Sequence, residues 1–265
     1  MTLAFGLTLL FLGLGGAFTA GLLGVGGAIV MIPLLLYVPP ALGVGQLDVK
    51  VVAGITMAQV FFAAVSGMLA HRRLRAVNTE LTWVGGVCMA VGSLAGSLGS
   101  KFVSDGVLLL IFGLMTMLAA MLMALHTEAP EVPVFADHLR FNRRRAGAVA
   151  GGVGVAAGFV GAGGAFLLVP LLLIVVGVPI RVTIGSSLGI TAVASTAGFF
   201  GKLVTDQVSW VPALIVALGA LPGAQIGALV SQRLAGAHLK AALLVVILAT
   251  AGRVWWDLLS RLLKF

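Results

Sequence analysis

The chain is expected to fold as an all-α polytopic membrane protein built from two homologous four-segment repeats. Its composition, its long apolar runs and an internal repetition predict this. Of 265 residues, 60% are apolar and 9% are charged, whereas a soluble domain carries about 25% charged residues. So few charges cannot cover a water-facing surface, which excludes a soluble globule, a disordered chain and a nucleic-acid binder. The net charge of +8 comes from 16 basic and 8 acidic residues. The basic ones fall mainly between apolar runs, where they read as orientation signals at a membrane surface. The single cysteine, Cys88, excludes an intrachain disulfide and a cysteine-cluster metal site. Glycine, at 37 residues, is about twice as frequent as usual, which suits close helix packing and broken helices in lipid.

Eight apolar segments follow one another: 3–37, 51–70, 81–101, 106–125, 146–176, 182–204, 209–232 and 238–260. A span needs about 20 apolar residues, so each is long enough to cross. No basic residue precedes the first run, so it is read as a membrane segment and not as a cleaved signal peptide. The longest polar stretch, 126–145, holds Glu128, Glu131, Asp137, Arg140, Arg143, Arg144 and Arg145. It is too short for a catalytic domain and reads as a cytoplasmic linker between a first membrane repeat, 1–125, and a second, 146–265. Segments 3–37 and 146–176 are too long. As one helix the first would reach about 52 Å against a hydrocarbon core of about 30 Å. Each carries a glycine cluster in mid-course, so each is expected to be broken or re-entrant.

The repeat lies in those clusters. Ala20–Leu36 reads AGLLGVGGAIVMIPLLL and Ala157–Leu173 reads AGFVGAGGAFLLVPLLL, identical at ten of 17 positions at an offset of 137. At an offset of 131, Gly54 meets Gly185, Thr56 meets Ser187 and Gly67 meets Gly198. Gly92 and Gly96 then meet Gly223 and Gly227. If each long segment crosses once, the halves are parallel and 11 of the 16 basic residues share a side. If each is a re-entrant hairpin, the halves are inverted and 10 of 16 share a side. The charge rule does not separate these counts. The basic turn His71–Arg75 has only Lys202, balanced by Asp206, as its counterpart, and this loss of bias points to inversion. Both arrangements make loops 71–80 and 126–145 cytoplasmic.

The duplicated G-x-G-G-A with its downstream proline (Gly24–Pro33, Gly161–Pro170), the Gly54-Ile55-Thr56 and Gly185-Ser186-Ser187 triplets, and the HRRLRAVN turn occur together and in order. In this the chain resembles the sulfite exporter TauE/SafE family of membrane permeases over nearly its whole length. The resemblance implies a carrier in the inner membrane of a bacterium or archaeon. It also implies sulfite, sulfoacetate or a related organosulfonate as the substrate, and export as the direction.

The residues also support an anion site. A break at Gly24, Val25, Gly26, Gly27 and Ala28 exposes backbone N–H groups at the start of the next half-helix, where the helix dipole is positive. Gly161, Ala162, Gly163, Gly164 and Ala165 do the same in the second half. Glycine permits the turn and lets a ligand approach the backbone. The other role open to these glycines is helix packing, which is the reading preferred for Gly92/Gly96 and Gly223/Gly227. Pro33 and Pro170 lie beyond the first turn and are expected to kink the return helices. Thr56, Ser186 and Ser187 offer hydroxyls, and Gln59 an amide, for lining the site. Ser or Thr hydroxyls can instead bond their own helix. Thr191, Ser195, Thr196 and Gln225 are weaker candidates of the same kind. His71, Lys202, Lys50 and Arg181 stand at segment ends, as pathway-rim cations that attract anions or as snorkelling and helix-terminal charges.

No Arg or Lys lies in mid-span, and no Asp or Glu offers a proton relay there. His126, His138 and His238 form no metal-ligand spacing, and no cofactor is implied. With no catalytic set at bilayer depth, an enzyme is not expected. The partners expected are the bilayer and a small sulfur-containing anion, with no nucleic acid. A channel for anions or other small solutes is the alternative function.

Overall fold

A computed structural model of the chain describes residues 2–72, 77–125, 139 and 141–262. Arg73 and Arg75 of the basic turn lie outside the described residues. So does most of the 126–145 linker, with His126, Glu128, Glu131, Asp137, His138 and Arg140.

The described residues are helical almost throughout, because a backbone in lipid must satisfy its own polar groups. The helices are α1 (Leu3–Leu23), α2 (Ala28–Ala41), α3 (Val49–Arg72), α4 (Thr79–Gly99), α5 (Asp105–Leu125), α6 (Arg143–Val160), α7 (Ala165–Leu171), α8 (Ile180–Val204), α9 (Trp210–Arg233) and α10 (Gly236–Leu262). A 3-10 turn, Ser100–Phe102, ends α4, and a π turn, Leu172–Val176, extends α7. Seven of them, α1, α3, α4, α5, α8, α9 and α10, are long and apolar enough to cross a membrane. Asparagine side chains cap the starts of α4 and α6. Asn78 Oδ1 accepts from Leu81 N–H at 2.7 Å on α4, and Asn142 Oδ1 accepts from Arg145 N–H at 3.1 Å on α6.

Both over-long segments are interrupted at their glycine clusters. After α1 the chain doubles back. A Cβ on Gly16 would stand 3.0 Å from the Met31 sulfur of α2, and one on Gly45, beyond α2, would stand 3.2 Å from the Phe5 ring near the start of α1. In the second half, a Cβ on Gly164 would stand 2.8 Å from both Ala157 Cβ and Val153 Cγ1 of α6, the helix just left. At about 1.5 Å per residue, α2 reaches about 21 Å, against a hydrocarbon core of about 30 Å. Pro33 and Pro170 sit inside α2 and α7 as expected. The first return limb runs past the end of its predicted segment, through Pro39 and Pro40 to Ala41. The second ends its α-helical part at Leu171 and finishes in the π turn.

The helices exchange partners between halves. α1 packs along α9, with Gly13 against Val216, Gly21 against Ala224, and Gly223 and Gly227 against Leu14 and Phe18. The residue numbers rise together, so α1 and α9 run parallel. α6 packs along α4 in the same way, with Gly92 and Gly96 against Gly151 and Val155. At these glycines a Cβ would overlap the facing backbone, so Gly92/Gly96 and Gly223/Gly227 serve close helix contact.

α3 and α8 cross the centre and run antiparallel. Gly54 at the start of α3 meets the Gln207 carbonyl beyond the end of α8. Ser186 near the start of α8 accepts a hydrogen bond from the Asn78 N–H beyond the end of α3, at 2.9 Å. One end of the molecule therefore gathers the start of α1, the end of α2, the starts of α3 and α9 and the end of α8. The other gathers the ends of α3 and α9 and the starts of α4, α6, α8 and α10. Arg143 of α6 pairs with Glu80 of α4 at this second end.

Candidate functional site

Each break is built by three left-handed glycines. In the first, Gly24 (φ 71°) closes α1, its N–H donating to the Ala20 carbonyl at 2.9 Å. Gly26 (φ 71°) and Gly27 (φ 79°) follow, and Gly27 caps α2. The Gly27 carbonyl accepts from Met31 N–H at 2.9 Å and from Val30 N–H at 3.2 Å. No acceptor among the described residues reaches the N–H groups of Val25, Gly26, Gly27, Ala28 or Ile29, all of which are buried. The second break repeats the pattern at Gly161 (75°), Gly163 (62°) and Gly164 (72°). There the Gly161 and Ala162 N–H groups both donate to the Ala157 carbonyl, leaving those of Gly163, Gly164, Ala165 and Phe166 without an acceptor among the described residues. A side chain at such a φ costs about 1–2 kcal/mol, which explains glycine at each of these positions.

The structure brings the two breaks together. A Cβ on Gly26 would stand 3.3 Å from Ala165 Cβ and 3.5 Å from both Thr191 Cγ2 and Val60 Cγ1. A Cβ on Gly163 would meet the same two side chains, overlapping Val60 Cγ1. Val60 and Thr191, equivalent at the 131-residue offset, thus flank the meeting point. Gln59 comes to the first break, with Nε2 2.9 Å from the place a Cβ on Gly27 would take. Both polar atoms of Gln59, and the hydroxyls of Thr56 and Thr191, are buried without a hydrogen-bond partner among the described residues. An unpaired buried polar group costs about 1–3 kcal/mol, so this concentration of orphaned polar atoms calls for an explanation.

The two serines differ. Ser187 Oγ donates to the Gly24 carbonyl at 2.8 Å and to the Ile184 carbonyl at 3.0 Å, so it supports the first break from α8. Ser186 Oγ is engaged by the Asn78 N–H at the α3–α4 corner. Ser195 and Thr196 bond the Ala192 carbonyl of their own helix, and Gln225 is exposed on α9.

The four terminal cations separate into two pairs. Lys50 and Arg181 lie nearer water and cap chain ends, Lys50 Nζ donating to the Lys101 carbonyl and Arg181 to the Leu234 carbonyl, each at 3.3 Å. His71 and Lys202 are buried, at opposite ends of the molecule. His71 Nε2 lies 3.0 Å from the Gly21 carbonyl in the last turn of α1. Lys202 Nζ donates to Phe159 O in the last turn of α6 at 3.1 Å, to Ser100 Oγ at 2.7 Å and to Gln207 Oε1 at 2.9 Å. Each thus serves a carbonyl that its helix end leaves unpaired. Asp206 does not balance Lys202 as expected, because the ammonium turns inward to neutral acceptors. Ser100 and Gln207 went unnoticed in the sequence because both lie at segment edges. The one signal was Gln207, an uncharged amide in the short loop that follows Lys202.

The family model described as "Sulfite exporter TauE/SafE" matches residues 9–254. A probable membrane transporter protein of Xylella fastidiosa (strain Temecula1) is 34% identical over 260 residues, covering 92% of this chain and 94% of that protein. The probable membrane transporter protein YunE of Bacillus subtilis is 26% identical over 244 residues, covering 85% and 88%. A probable membrane transporter protein of Methanocaldococcus jannaschii is 22% identical over 230 residues, covering 83% and 84%. No solved structure matches the chain. Apolar helices long enough to span, joined to relatives of nearly equal length that are named as transporters, make this a multi-pass protein of the plasma membrane. It belongs to the sulfite exporter TauE/SafE family.

Proposed function

We propose that this chain is a secondary transporter that exports a small sulfur-containing anion, sulfite or an organosulfonate such as sulfoacetate. The observation that carries the reading is the row of orphaned N–H groups from Val25 to Ile29 at the start of α2, beside the unpartnered Gln59 and Thr191. Such a cradle suits the oxygens of a sulfite or sulfonate group and needs no charged side chain. The second break brings the unpaired N–H groups of Gly163 to Phe166 close by, Ala165 lying against Gly26. The halves are inverted repeats whose hairpins α1–α2 and α6–α7 enter from opposite sides. The opposed directions of α3 and α8, and the return of the chain at Gly16–Met31 and Gly45–Phe5, support this. The second end of the molecule, which holds Arg143, Arg144, Arg145, Arg181, Arg233 and Lys240, is the cytoplasmic one.

Burial of both breaks, with His71 and Lys202 buried beyond them, favours an occluding carrier over an open channel. An anion leaving a negative cytoplasm gains about 2.3 kcal/mol per charge per 100 mV, so export needs no coupled ion. The test is sulfite and alkanesulfonate flux in proteoliposomes under an imposed potential. Saturable counterflow that follows the potential is expected. Flux that neither saturates nor exchanges sinks the carrier, and flux indifferent to the sign of the potential sinks electrogenic export.

A further inference from the structure

The donors around the first break are of two kinds. Backbone N–H groups only donate, and the hydroxyl of Thr191, where the two breaks meet, donates or accepts, so both suit the oxygens of an anion. Gln59 differs. Its NH₂ group suits an oxyanion, but its Oε1 only accepts, and an oxyanion offers it nothing. Both polar atoms of the amide are buried and unpartnered, with Nε2 beside Gly27, so Oε1 is left without the donor it needs. The second half has no matching acceptor: position 190 is isoleucine, and it packs on Gly85 of α4.

From this we infer that the site selects a singly charged sulfur oxyanion that brings its own hydrogen-bond donor, a hydroxyl or an N–H, and that Gln59 is the residue that selects it. Hydrogensulfite and hydroxyalkanesulfonates meet that demand. The sulfite dianion, plain alkanesulfonates and sulfoacetate, a dianion without a donor at neutral pH, do not, so the inference narrows the substrates proposed above. The inference rests on the transport role proposed above. A site built to bond a substrate hydroxyl discriminates strongly against the analogue lacking it, because the buried partner is left unpaired.

The experiment compares wild-type proteoliposome flux of 2-hydroxyethanesulfonate with that of propane-1-sulfonate, in which a methyl replaces the hydroxyl at equal charge. The hydroxylated anion is expected to move roughly tenfold faster or more at low concentration. Gln59→Met, of similar length but without the amide, is expected to bring the ratio close to one. Equal wild-type fluxes overturn the inference and leave the transport reading standing, whatever the variant does. A ratio unchanged in Gln59→Met also overturns it. Failure of sulfite and both sulfonates to move at all removes the transport reading, and this inference with it.

Discussion

Gly26 and Ala165 join the two halves of the molecule at one point: a Cβ on the first would stand 3.3 Å from the Cβ of the second, with Val60 and Thr191 on either side. Residues 139 positions apart in the chain therefore share one small volume, and its tolerance of added atoms differs from one glycine to the other.

Gly163→Leu and Gly26→Leu are both expected to abolish transport while the protein still inserts. Alanine separates them. At Gly163 (φ 62°) a Cβ overlaps Val60 Cγ1, whereas at Gly26 (φ 71°) the nearest atom is at 3.3 Å. Gly163→Ala should therefore lose more flux than Gly26→Ala, and Val60→Ala should restore part of the Gly163→Ala loss. Flux normalised to inserted protein measures this. Equal losses without rescue would show that Val60 does not bound the site.

The interhelical glycines make a separate prediction, about stability. A Cβ on Gly21 would meet the Ala224 carbonyl and the Ala228 nitrogen, while one on Gly15 of the same helix would meet nothing within 4 Å. Gly21→Ala should cost about 1–3 kcal/mol through overpacking. Gly15→Ala should be neutral or gain up to about 1 kcal/mol from helix propensity. Thermal unfolding in detergent checks the contrast, and similar melting temperatures for the two variants would contradict the α1–α9 contact.

The two buried end residues should differ in weight. Lys202→Met strips a partner from Ser100, Gln207 and the Phe159 carbonyl, and is expected to cost about 2–3 kcal/mol. His71→Leu removes one bond to the Gly21 carbonyl and should cost about 1 kcal/mol. Lys202→Arg is not a conservative rescue, because the planar guanidinium does not fit a site shaped for a compact ammonium. The order of melting temperatures in detergent tests the geometry.

Topology is open to a direct test. Lys101 and Gln232 are equivalent at the 131-residue offset, and both are exposed. In a Cys88→Ser background, Lys101→Cys should react with a membrane-impermeant maleimide from outside the cell, and Gln232→Cys only from the cytoplasmic side. Labelling of both from one side rules out inversion.

Much of this was legible in the residues. Apolar runs placed the helices to within a few positions, because lipid leaves the backbone no alternative to helix. The doubled glycine clusters located both breaks, since three glycines in four positions have no use in a continuous helix. Alignment paired His71 with Lys202 but not their burial, because a basic residue at a segment end looks alike whether it turns to the headgroups or inward to a carbonyl. Val60 stayed invisible as a wall of the site, because its chemistry matches that of any core valine. The π turn at Leu172–Val176 has no counterpart in the first half, and nothing in the residues that precede it distinguishes the two limbs.

The exchange of helices between halves bears on how the protein is made. α1 ends at Leu23, yet the surface that receives it, α9, ends at Arg233, so α1 is synthesised long before its partner. Through most of synthesis the glycine-lined side of α1 has only lipid or the insertion machinery for company. Assembly must then wait for a late closure that draws α1 against α9. Damage to either of these helices should therefore be felt at the other.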